Sequence, residues 1–131
     1  MRRSLALCAL AAVAVLAGAC ATTDGPVVST AGMPGQLEPI HAAAFTRDLA
    51  VFWVSSNGCT SKADVKPFIT RLRDSAVITL RRVDEDRCAE PKADGVQLQW
   101  TFEELGIAPG SEVSVNNPYL LRQDGKPNEA S

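Results

Sequence analysis

The chain has 131 residues, of which 46% are hydrophobic and 21% charged, and its formal net charge is −2. This length leaves room for one small domain once a targeting segment is subtracted. Without its first 19 residues the chain keeps 11 basic and 15 acidic side chains, a net charge of −4. Such an acidic domain argues against nucleic acid as a partner, because phosphate binding requires a dense cationic surface.

The amino terminus has the pattern of an export signal. Arg2 and Arg3 precede an apolar run over residues 5–16, and three small residues follow at 17–19. The run is shorter than the roughly 20 residues that span a bilayer. We therefore predict a signal peptide over residues 1–19, cleaved after Ala19.

Residues 16–20, Leu-Ala-Gly-Ala-Cys, resemble the bacterial lipobox, whose final cysteine receives diacylglycerol. The commonest form has leucine where Ala17 stands, and the same residues also fit an ordinary Ala-x-Ala cleavage site. The resemblance implies lipidation of Cys20 and a place in the cell envelope. Since Asp after the cysteine favours inner-membrane retention and Ala21 stands there, it implies the outer membrane. A soluble periplasmic or secreted protein is the alternative.

The remaining cysteines predict a structural bridge. Cys8 leaves with the signal peptide, so Cys59 and Cys88 are left, and two thiols in an oxidising compartment most simply form a disulfide. A redox site would require Cys-x-x-Cys, and a metal site further ligands than His41, the single histidine. We expect no metal and no cofactor.

Composition divides the mature chain into three parts. Residues 20–43 are rich in Ala, Gly and Pro and predict a lipid-anchored flexible tether. Residues 44–121 predict the folded domain, and residues 122–131 a loose polar tail.

Three segments of the domain have strand patterns. Residues 49–54 are apolar at both odd-numbered and even-numbered positions, which is typical of a central strand buried on both faces. Residues 96–102 alternate, with Val96, Leu98, Trp100 and Phe102 on one face, and residues 111–115 alternate in the same way.

Residues 61–83 permit two interpretations. Four apolar residues between 65 and 72 have helical spacing, but Pro67 would fall in the second turn and break it. The preferred interpretation is a hairpin of residues 65–73 with 77–83, in which loop 74–76 places Leu72 opposite Ile78.

These elements predict an all-β, sandwich-like domain of five to seven short strands with one disulfide; a helix over 62–74 would make it α+β. Three segments, at residues 57–62, 86–88 and 102–105, resemble a group of small uncharacterised secreted bacterial proteins. The resemblance spans about half of the chain and implies no activity.

The predicted hairpin yields one candidate binding face. Its register projects Arg71, Arg73 and Arg81 from the same side of the sheet, where guanidinium groups suit an anionic envelope component or an acidic protein. The acidic residues at 84–86 and 103–104 we interpret as a solvated turn and the end of an element, because adjacent carboxylates rarely face one another.

The sequence therefore predicts a non-catalytic envelope lipoprotein that serves as a binding or structural module. The alternative is a small periplasmic or secreted enzyme, or an enzyme accessory, without a recognisable motif. A serine hydrolase would need a base, and His41 falls in the predicted tether.

Overall fold

The computed structural model describes residues 28–120. They form two sheets that pack face to face, so the predicted all-β class is confirmed. The predicted signal peptide, Cys20 and the tail at residues 122–131 lie outside the described residues. In chain order the elements are β1 (Gln36–Leu37), β2 (Ile40–Phe45), β3 (Leu49–Val54), β4 (Val65–Leu72), β5 (Ser75–Arg82), β6 (Val96–Thr101), α1 (Phe102–Leu105) and β7 (Glu112–Val115).

The first sheet has the order β2-β3-β6 and is antiparallel throughout. Its centre is β3, as the apolar pattern of residues 49–54 predicted. Ala50, Phe52 and Val54 are fully buried on its inner face. They meet Leu98 and Trp100, which β6 presents to the same core. The outer positions of β6, Gln97 and Gln99, are exposed, as its alternation predicted.

The second sheet is built around β5. On one side β5 pairs with β4, and on the other it pairs with β1 and, in parallel, with β7. Ala76, Ile78 and Leu80 face the core between the sheets. Val77 and Thr79, on the opposite face, are also fully buried. This strand therefore lacks the alternation of buried and exposed residues that marks a surface strand.

The hairpin of β4 and β5 was located correctly, but its predicted register is wrong. Leu72 lies opposite Ser75, and Ile78 lies opposite Ile69, so the loop is Arg73 and Asp74 alone. The offset of three residues is odd and exchanges the two faces of β4. Because β5 is buried on both faces, its sequence carries no pattern that would have selected the correct register.

Pro67 is accommodated because β4 is an edge strand within the described part of the chain. The backbone bond from Val83 N to Asp64 O, 2.8 Å long, fixes which β4 residues bond to β5. Bonded positions alternate, so position 67 directs its backbone nitrogen away from β5. The helical alternative for residues 62–74 is wrong, because residues 65–72 of this segment form β4.

The predicted boundary between tether and domain is also wrong. Residues 36–43, assigned to the tether, contain β1 and the first four residues of β2, and Ile40 and Ala42 are buried in the core region. The run of three alanines carries little strand preference of its own. Pairing with β3 and burial against the core make this segment a strand.

The strand predicted over residues 96–102 ends one residue early. Phe102 is 1% exposed and begins the four-residue helix α1. Thr101 and Glu104 form a capping box, in which each side chain accepts a hydrogen bond from the other residue's backbone N–H. Glu104 also forms an ion pair with Lys62, with 2.9 Å between Nζ and Oε1. The adjacent Glu103 and Glu104 thus belong to a short helical turn.

Cys59 and Cys88 form the predicted disulfide, which closes a loop of 29 residues' separation between β3 and β6. The closed loop contains β4 and β5, so the bridge reduces the conformational freedom of this segment in the unfolded chain.

We predict that Cys59→Ala/Cys88→Ala lowers the free energy of unfolding by about 3–4 kcal/mol, because the unfolded chain regains the entropy of the open loop. Urea denaturation of the wild type and the variant measures this loss. Wild-type protein kept reduced should match the variant, and an unchanged denaturation midpoint would contradict the prediction.

Candidate functional site

The three arginines predicted to share one sheet face do not share it. Arg71 lies opposite Ala76, on the core side of β4, whereas Arg81 lies on the other face of β5. The odd register offset described above separates them. The face formed by Arg71, Arg73 and Arg81 is therefore a wrong prediction.

Arg81 is a structural residue. It is 8% exposed, and its guanidinium donates hydrogen bonds to Pro34 O (2.9 Å), Thr30 Oγ1 (3.1 Å) and Gly35 O. These bonds hold residues 30–35 across the outer face of β5. A buried guanidinium with its donors occupied in this way is not available to a partner.

Arg71 and Arg73 do lie together, in a depression of about 400 Å³ that we call the arginine groove. The turn of the β4–β5 hairpin forms one wall and the segment after α1 the other. Arg71 spans the groove, since its Nη2 donates to the carbonyl of Gly106, the C-terminal cap of α1. The other lining residues are Asp74, Ser75, Ala76, Ile107, Ala108 and Ser111.

The electrostatics of the arginine groove favour an anion. Within residues 28–120, neither Arg71 nor Arg73 has an acidic oxygen within ion-pair distance. Both are exposed, and one carboxylate, Asp74, lines the groove beside them. Guanidinium groups present planar pairs of donors that match the two oxygens of a carboxylate or phosphate group. The groove can therefore hold such a group at its open side.

A second polar cluster lies at the opposite end of β5. Glu38, 5% exposed, accepts two hydrogen bonds from Arg82, at 2.9 Å from Nε and 2.7 Å from Nη2. The hydrogen bond to Glu38 raises the pKa of Arg82 above its ordinary value, although burial opposes this. Arg82 also donates to Ser55 O and to Thr60 Oγ1. Its donors are thus directed into the protein.

Asp86 is the other centre of this cluster. Its Oδ2 accepts hydrogen bonds from Thr60 Oγ1 and Asn57 N, both 2.8 Å, and from Ser56 Oγ and Cys59 N, both 3.0 Å. Partial desolvation raises the pKa of this carboxyl, but the bonds from Thr60 and the backbone N–H groups outweigh it and hold the pKa well below its ordinary value. The interpretation of residues 84–86 as a merely solvated turn missed this role.

A depression of about 280 Å³ lies beside the cluster, between Ser55, Asn57, Arg82 and Glu85. Its polar groups already satisfy one another, so the cluster serves the fold. The nearest set of metal-ligand types is Cys59, Asp86 and Cys88, whose ligand atoms lie within 4.8 Å of one another. The two sulfurs are bonded to each other and offer no thiolate.

His41 lies in β2 rather than in a tether. The register of β2 against β3 shifts between Ile40 and Ala42, so His41 is the extra residue of a bulge. Its Nε2 is 3.1 Å from Ser55 Oγ. Within the described residues the ring makes no further hydrogen bond, and no acidic side chain orients it as a catalytic base requires.

Sequence reasoning missed Glu38, Arg82 and the His41–Ser55 pair. Glu38 and Arg82 are 44 positions apart and stand in no motif, so no sequence signal connects them. The alternation of side chains along the hairpin could have shown which arginines share a face, but only with the correct register.

Comparison with known proteins returned no match: no protein-family model, no curated protein and no solved structure is similar to this chain. Across residues 28–120, no helix has the length and apolar character needed to cross a bilayer.

We predict that Asp86→Asn destabilises the protein at neutral pH and that the difference from wild type shrinks in acid. The folded-state pKa is depressed, so the carboxylate stabilises the fold above its unfolded pKa of about 3.9. That stabilisation is lost as the pH falls from there towards the folded pKa.

Urea denaturation over a series of pH values measures this dependence. The control is Asp84→Asn, an exposed neighbour whose carboxylate accepts one backbone hydrogen bond, from Glu85 N. A difference between Asp86→Asn and wild type that does not vary with pH would contradict the assignment.

Proposed function

We propose that this chain is a lipid-anchored, non-catalytic protein of the cell envelope that binds an anionic group of another envelope component in the arginine groove. The observation that carries the binding proposal is the pair Arg71 and Arg73, which line one groove with no ion pair among the described residues. Support for the envelope, and for its outer membrane, comes from the amino-terminal sequence pattern.

The groove suits binding because its walls are firmly positioned. Ala76 and Ile107 are buried, and they fix the hairpin turn and the segment after α1 against the core. Arg71 is held across the groove by its bond to Gly106, so less side-chain freedom is lost when a ligand binds. Arg73 stands at the tip of the turn and reaches solvent.

The groove favours binding over catalysis as the function. Nucleophilic catalysis needs a base that is itself oriented by a third group. The His41–Ser55 pair supplies two of these three parts, and it lies with the Arg82 cluster rather than with the groove. An enzyme or enzyme accessory remains the weaker candidate on this geometry.

For the groove, we predict that Arg71→Glu/Arg73→Glu abolishes binding of the anionic ligand. One assay is association with anionic vesicles of phosphatidylcholine and phosphatidylglycerol. The other is crosslinking to envelope components in cells through a photoreactive residue at Ser111. The substitutions reverse the local charge, and like charges repel the ligand. Binding by the wild type should weaken as salt is added, because the contacts are exposed.

The matched control is Arg87→Glu/Lys92→Glu, which makes the same change in net charge at exposed positions away from the groove. It should bind as the wild type does, and thermal unfolding should show both variants folded. Equal binding by the two double variants would reject the groove as the site.

For the anchor, we predict that Cys20→Ser moves the chain from the membrane fraction to the soluble fraction or leaves its signal peptide uncleaved. Acyl chains contribute about 0.8 kcal/mol for each buried methylene, so two or more hold a protein stably. Fractionation and mass analysis of the amino-terminal peptide give the answer. Cys8→Ser, within the signal peptide, is the control and should behave as wild type. Unchanged fractionation and processing of Cys20→Ser would rule out lipidation.

A further inference from the structure

The free edge of β6 is the feature from which a further interaction follows. Among residues 28–120, β6 pairs with β3 on one side, and no strand pairs with its other side. An unpaired strand edge presents backbone donors and acceptors that match another strand.

The hydrogen-bond pattern identifies which β6 residues offer these groups. Phe102 N donates to Asp48 O at 2.8 Å, so the position that follows β6 bonds towards the β3 side. Bonded positions alternate in an antiparallel pair, and positions 97, 99 and 101 therefore direct their N–H and C=O groups outward. Thr101 N already donates to Glu104 Oε2 at 2.7 Å. Among the described residues, Gln97 and Gln99 are left with both backbone groups open.

The edge of β6 also lacks the features that keep strand edges from pairing. An edge strand of the other sheet, β4, contains Lys66, Pro67 and Arg71, and charge and proline both obstruct strand addition. The residues of β6, Val-Gln-Leu-Gln-Trp-Thr, are uncharged and contain no proline or glycine. The β4 edge is thus protected, whereas the β6 edge is open.

We propose that a second copy of this chain adds to this edge, in an antiparallel dimer with Leu98 on the twofold axis. Gln97 then lies opposite Gln99 of the second copy, and Gln99 opposite its Gln97. Each pair exchanges two backbone hydrogen bonds, and the open groups of the two copies satisfy one another. The six strands form one continuous sheet.

Symmetry and the capping box select this register over its neighbours. A twofold axis at Gln99 would place Gln97 opposite Thr101, whose N–H is already donated to Glu104. A register displaced by one residue would bring the buried side of β6 opposite its exposed side. The Leu98 register keeps the core faces of both copies on the same side.

The first test is a register-specific crosslink in the full-length chain, purified in detergent. Residues opposite each other in such a pair have Cα atoms about 5.5 Å apart, which a disulfide can span. Gln97→Cys/Gln99→Cys should form a covalent dimer on oxidation. Gln97→Cys and Gln99→Cys alone are the controls and should form no covalent dimer, because each cysteine then faces a glutamine. A double variant that remains monomeric, or single variants that crosslink equally well, would overturn the proposal.

The second test removes an outward backbone donor from β6. Gln99→Pro lacks the outward N–H, and by twofold symmetry the dimer loses two hydrogen bonds, so dimerisation should weaken about tenfold or more. Gln99→Ala keeps the N–H and should dimerise as the wild type does. Light scattering measures the mass, and circular dichroism checks the fold. If the proline variant fails to fold, the cysteine variants decide. A wild-type chain that stays monomeric at micromolar concentration overturns the dimer.

Discussion

The ion pair of Arg82 with Glu38 is the interaction on which the rest of the structure depends. Glu38 lies between β1 and β2, one strand from each sheet, and Arg82 ends β5. The same guanidinium reaches Ser55 O at the end of β3 and Thr60 Oγ1, which donates to Asp86. One side chain therefore joins both sheets to the loop that carries the disulfide. Glu38, which is 5% exposed, requires this partner, because an isolated buried ion is very costly.

This network divides the domain into two ends of different character. At the Arg82 end of β5 the polar groups are turned inward and saturated, and the disulfide closes the adjacent loop. At the Ser75 end the hairpin turn is short, exposed and bordered by Arg71 and Arg73. Binding surfaces in small β domains are commonly placed on loops that a rigid scaffold positions. The arginine groove follows this arrangement, with its stability supplied from the far end.

Sequence patterns predicted those parts of the fold that one strand reveals alone. Both the two-sided apolar run of β3 and the alternation of β6 reflect burial of a single element, and Cys59 and Cys88 were the two cysteines outside the predicted signal peptide and lipobox. The hairpin register could not be predicted from the sequence, because both faces of β5 are buried. The wrong register also changed the predicted site. It placed Arg81 on a surface and left out Arg82, the neighbour that pairs with Glu38. The alanine-rich β2 is a strand only through its neighbours.

The position at which the described domain begins sets how far it could stand from a lipid on Cys20. Val28 O accepts a bond from Asn116, and Thr30 is held by Arg81, so the chain is part of the domain from there onward. Seven residues separate Cys20 from Val28. The eight Cα–Cα steps from Cys20 to Val28 span about 28 Å when the chain is fully extended. A chain lipidated at Cys20 would be held within this distance of the membrane and would search for partners in two dimensions. In that geometry, the arginine groove and the β6 edge would meet only partners that lie close to the membrane.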